Sequence, residues 1–166
     1  MPYRRIAVVA LALSALPACW AQPASTIATK ARDDASLYVS TGNFIVGRIA
    51  RECLSLVGRM ESPQAFVSEW QRRNARYVAA SAKYMDKRVE EVAATGGPEK
   101  RDAIVRELRI AVQNPGEAVV RNMLGNDHKA ETCMRAVTLL DTGALDISSK
   151  TPMYADLEAL VRWAEQ

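Results

Sequence analysis

The sequence is poor in the residues that usually carry chemistry. It holds one His, three Cys and two Phe in 166 residues. One His cannot build a multi-histidine metal centre, because such a site takes three or four convergent ligands. His128 stands beside Asp127 and near Glu131 with no such set around it in the sequence. No C-x-x-C, H-E-x-x-H, G-x-S-x-G or S-x-x-K motif occurs, nor does a glycine-rich phosphate loop. The missing C-x-x-C-H excludes covalent attachment of a c-type haem. Glu90 and Glu91 are adjacent, so on a helix they point to different faces and form no acid–base dyad. These absences predict a protein that is not an enzyme and needs no cofactor and no metal. After the first 21 residues no apolar run approaches the roughly 20 residues of a membrane-spanning helix.

What is present begins with an address. MPYRR carries two Arg and no acid, an apolar run follows from Ile6 to Leu16, and Pro17 breaks it before small residues lead to Ala21-Gln22. That is the layout of a secretory signal, so residues 1–21 are expected to be a signal peptide and the protein periplasmic. Cleavage after Ala21 places Cys19 at −3 and Ala21 at −1. Leu16-Pro17-Ala18-Cys19 also resembles a bacterial lipobox, although Pro17 departs from the pattern. On that alternative Cys19 is lipidated and the protein is an outer-membrane lipoprotein. A membrane is a partner only in this case.

Both readings leave Cys53 and Cys133 as a pair. In an oxidising compartment an even pair predicts one disulfide. Charge points the same way about partners. Removing Arg4 and Arg5 from the 22 basic residues leaves 20 against 19 acids. A near-neutral, exported chain has no electrostatic basis for nucleic-acid binding.

The rest reads as helix. Residues 22–33 are small and polar and are expected to be a flexible leader, with Asp34 capping the first helix of a domain over 34–166. Tyr38, Ile45, Ile49, Cys53, Leu56 and Met60 share one face, with a weak point at Gly42-Asn43 and a stop at Gly58. Ser62-Pro63 starts a second helix that is expected to run to about Ala94. Gly96-Gly97-Pro98 ends it and opens a third, and Asn114-Pro115-Gly116-Glu117 has the layout of a further start. Asn126 or Asp127 begins a helix that stops at Thr142-Gly143. Thr151-Pro152 precedes the last, which buries Leu157, Leu160 and Val161. No hairpin or strand signal appears. The prediction is an all-α, single-domain bundle of five to six helices stapled by one disulfide.

One segment stands out. Trp70, Asn74, Tyr77, Ser81 and Tyr84 fall at steps of three and four, so polar residues interrupt an aromatic row. Trp, Tyr and Arg are enriched at interface hot spots, which makes Trp70, Arg73, Asn74 and Tyr77 the candidate binding residues. The same row also reads as a core stripe in which Asn74 is satisfied internally. Arg72, Arg76, Lys83 and Lys87 make a second face, either a basic strip or a solvated one neutralised by Glu69, Asp86, Glu90 and Glu91. The function expected is a small exported protein-binding module, of inhibitor or immunity type, acting by occlusion on another exported or envelope protein. A lipid-anchored envelope structural protein is the alternative. In class alone (exported, helical, one disulfide) the chain resembles the periplasmic immunity proteins of type VI amidases. No residue motif carries that resemblance.

Overall fold

The computed structural model describes residues 27–125 and 128–166. Among them are five α-helices and no strand: α1 Lys30–Cys53, α2 Pro63–Arg73, α3 Ala75–Leu124, α4 Lys129–Asp141 and α5 Tyr154–Ala164. Cys53 and Cys133 form the disulfide, with their Cα atoms 5.0 Å apart. The expected signal peptide, Cys19 and the start signals at Asn126 and Asp127 lie outside the described residues.

The first helix begins four residues earlier than Asp34 because Thr29 caps it, its hydroxyl accepting from the Arg32 amide. The end of the expected leader is therefore helical. Gly42-Asn43 does not split α1. Gly42 instead stays within the helix and packs beside the Trp70 indole, which lies 3.5 Å from where a Cβ would stand, an ordinary contact. The helix stops at Cys53, a short 3-10 turn follows over Ser55–Val57, and Gly58 closes it at φ 73°. Leu56 and Met60 thus leave the buried face, and Met60 is 98 % exposed.

Ser62 caps α2 by accepting from the Ala65 amide, and Pro63 fills the first turn, where its missing N–H costs nothing. The long helix expected to Ala94 breaks at Asn74 (φ −106°, ψ 22°). That one residue closes α2 and opens α3. A side chain that can bond to the backbone competes with helix propagation, and Asn does so here.

α3 is a helical hairpin. Tyr84 Oη donates to Asp33 at 2.7 Å, while Glu117 pairs with Arg48 further along α1. A straight helix separates residues 84 and 117 by about 50 Å, but residues 33 and 48 by only about 22 Å. The chain must therefore turn back, and Gly97 (φ 69°, ψ −169°) is where it does so. Pro115, expected to begin a new helix, lies inside the returning arm. Gly116 beside it packs on Phe44, where a Cβ would meet the ring at 2.4 Å. From Met85 to Pro115 every residue is at least partly exposed, so the outer hairpin adds nothing to the buried core.

Two apolar clusters share α1. One surrounds the disulfide and joins Ile49 and Cys53 to Phe66, Trp70, Val120, Leu124 and Val137. The other joins Ala35 and Val39 to Tyr77, Tyr84, Leu157 and Leu160. Thr151-Pro152 precedes α5 as expected, but α5 starts at Tyr154 after Met153 in the left-handed region (φ 58°).

Candidate functional site

The four candidate binding residues sit at the end of α2 and the start of α3. Trp70, Asn74 and Tyr77 are 3 %, 1 % and 6 % exposed. They do not form an open patch. Three of them hold the segment that links α4 to α5. Arg73 Nη2 donates to the Leu140 carbonyl at 2.7 Å, where a cation suits the exposed end of the α4 dipole. Arg73 Nε donates to Asp146 Oδ2 at 2.7 Å. Asn74 Nδ2 donates to the Trp70 carbonyl at 2.9 Å and to Asp146 Oδ1 at 3.2 Å. Asn74 Oδ1 accepts from the Ile147 amide at 2.8 Å. Trp70 Nε1 reaches the Leu145 carbonyl at 3.4 Å. Gly143 (φ 71°) makes the turn, and a Cβ there would stand 2.9 Å from Asp146 Oδ2. The interrupted row is thus a clamp on residues 140–147, with Asn74 satisfied internally.

Tyr77 turns to α5 instead, its hydroxyl donating to Glu158 at 2.6 Å. Burial first, then this bond, pushes the phenol well above its ordinary value, and the same two causes act on Tyr84 with Asp33 as acceptor. A raised folded-state value gives stability that is complete below the unfolded value of 10.0 and is lost as pH rises beyond it. Urea midpoints should therefore fall steeply above pH 10. Tyr77→Phe with Tyr84→Phe should cost about 1–2 kcal/mol at neutral pH and flatten that alkaline decline. An unchanged alkaline slope would remove the two phenols as its cause.

The basic strip is paired. Arg72 bonds Glu69 at 2.9 and 2.8 Å, Arg76 bonds Glu158 at 2.9 Å, and Lys87 bonds Glu90 at 2.6 Å. Lys83 caps α5 at the Ala164 carbonyl. This is the neutralised face, and exposed pairs of this kind are worth little each. His128 occupies the cap position of α4 and is exposed. Among the described residues, no group of three or more His, Cys, Asp or Glu could hold a metal ion. No helix among them is long and apolar enough to cross a membrane.

Two concave surfaces flank α1 on opposite sides. An open groove of about 620 Å³ lies between α1, α2 and the two arms of α3. Phe44, Val67, Met85 and Val112 give it apolar surface, while Asn43, Gln64 and Gln71 give it amides. Asn43 and Gln71 bond each other across it at 2.8 Å. Arg51 is its one charged side chain among the described residues. At its floor three hydroxyls meet: Ser81 Oγ lies 2.9 Å from Ser36 Oγ and 3.2 Å from Ser40 Oγ. The second concavity, about 390 Å³, opens on the Trp70 side between α1, α2, the returning arm of α3, α4 and residues 145–147.

Sequence reasoning missed the groove. Its residues come from four helical segments, the last of them brought in by the turn at Gly97 through Val112, and no single helical face signals it. The one local hint was Gly116, whose lack of a side chain admits Phe44. No family model, curated protein or solved structure matches this chain.

Proposed function

We propose that the chain is an exported protein-binding module that takes a segment of another envelope protein into the groove between α1, α2 and the α3 hairpin, acting by occlusion. The observation that carries this reading is the groove itself. It is wide, open and lined by apolar side chains interleaved with amides and hydroxyls, the mixture that suits a peptide segment. Along α1 it runs from Val39 to Arg51, about 18 Å at helical rise, or some three turns of a docked helix. Met85 and Val112 in its wall belong to the outer part of the hairpin, which adds nothing to the buried core and so has most room to adjust to a partner. Trp70, Arg73, Asn74 and Tyr77 enter this reading as the frame behind the surface rather than as the contact itself. The near-neutral body argues for a protein partner over nucleic acid or an anionic membrane.

The test is photo-crosslinking in the native envelope, with benzoylphenylalanine placed at Gln64, at Val112 and at the exposed Arg109. A discrete protein adduct at the two groove positions and none at Arg109 is the expected result. No adduct at any position, or the same adducts at all three, overturns the reading. The mass of the recovered chain reports separately whether Cys19 is retained and acylated, as the lipoprotein alternative requires.

A further inference from the structure

The second concavity points to a different ligand. Its lining residues are all uncharged in a chain where a quarter of residues are charged. Tyr38 and Thr41 bring hydroxyls; Ile45, Trp70, Val119 and Leu140 bring apolar surface. Trp70 Nε1 is already committed to the Leu145 carbonyl. A volume of about 390 Å³ lies within the roughly 300–1,000 Å³ of small-molecule sites. The mouth carries an independent signal. Among the described residues seven large apolar side chains are exposed, and three of them, Tyr38 (39 %), Val119 (39 %) and Leu145 (40 %), belong to this one cavity. Exposed apolar surface gathered at one concavity marks a binding site rather than scatter.

We propose that this cavity binds a single neutral aliphatic chain, such as a free fatty alcohol or a monoacyl lipid with an uncharged head. The chain lies against Ile45, Trp70 and Leu140, and the head sits among the hydroxyls of Tyr38 and Thr41. Among the described residues no cation lines the wall to pair with a carboxylate, and no anion to pair with an amine. The ligand is free rather than part of a bilayer, because the body is near neutral and its basic strip is already paired. The proposal goes beyond the groove reading and lies across α1 from it.

The experiment uses the mature protein and the probe N-phenyl-1-naphthylamine, which fluoresces in apolar sites, displaced by octanol, decanol and dodecanol. Saturable uptake of one probe per chain is expected. Displacement should strengthen by about fourfold per added methylene until the cavity is full. Val119→Trp fills the mouth and should weaken binding by at least about tenfold, the loss of roughly two buried methylenes. Leu145→Trp should do the same. Ile110→Trp, at an exposed apolar position that is not among the lining residues, should leave binding unchanged. Both mouth positions are exposed, and equal thermal midpoints confirm that each variant is folded. No saturable uptake, equal losses in all three variants, or uptake that appears only with phospholipid vesicles overturns the proposal. Crosslinking from Gln64 and Val112 in the Val119→Trp background keeps the two sites distinguishable, since failure of one leaves the other standing.

Discussion

Replacing Cys53 and Cys133 together with alanine should lower stability by about 4 kcal/mol. The disulfide spans a sequence separation of 80, and closing a loop of that length removes much of the freedom of the unfolded chain. The folded state loses as well, for both side chains are fully buried in the cluster that includes Ile49, Phe66 and Val137. For a chain of this size the thermal midpoint should drop by on the order of 10 °C. Reductant acting on the unmodified protein should give a comparable loss, with no further effect on the double variant. Urea unfolding of all three samples measures it. A change below about 1 kcal/mol would mean that the unfolded chain is already restricted without the bridge. The bridge joins the end of α1 to the second turn of α4, and thiol-reducing conditions would strip it.

The disulfide was legible from cysteine count together with the expected export signal, and the helical class from apolar spacing. Helix ends were legible where a small polar cap met a proline, as at Ser62-Pro63. They were not where side chains act across the fold. Asn74 looked like one polar position in a long row, yet its partners are Asp146 and Ile147, about seventy residues away. Pro115 looked like a start because Pro suits a first turn, but the arm runs through it, held just beyond by Phe44 against Gly116 and Arg48 against Glu117. Gly97 gave the turn correctly without its consequence, that Val112 and Met85 line one groove. Of the candidate residues, Trp70, Arg73 and Asn74 meet on the segment after α4, while Tyr77 turns to Glu158 of α5. The core-stripe reading covers their burial, but not what buries them: residues 145–147 close over Trp70 and Asn74, and no local pattern joins segments so far apart.

That covering segment carries the second large expectation. Asn74→Leu keeps the branched outline and heavy-atom count and should cost about 3 kcal/mol, since it removes the acceptor of the Ile147 amide and one donor to Asp146 in a buried setting. The cost should appear in the denaturation midpoint with little change in slope, and as faster hydrogen exchange of the Ile147 amide. A loss below about 0.5 kcal/mol would show that Arg73 and Trp70 hold residues 140–147 without Asn74. Asn74→Asp separates the two roles of the side chain. It keeps the acceptor for Ile147 but turns the donor facing Asp146 Oδ1, now at 3.2 Å, into a second carboxylate. Two carboxylates so close cannot both ionise cheaply, so the introduced group has a raised folded-state value. By linkage its penalty is absent below the ordinary carboxylate range and grows as pH rises through it. Asn74→Asp should therefore be less stable than Asn74→Leu at neutral pH and should recover relative to it on acidification. Arg73 bears on this outcome, because its guanidinium already bonds both oxygens of Asp146 and partly offsets the repulsion. Adding Arg73→Gln should deepen the neutral-pH loss of Asn74→Asp more than that of Asn74→Leu, and equal losses would show that charge at Asp146 plays no part in holding the segment.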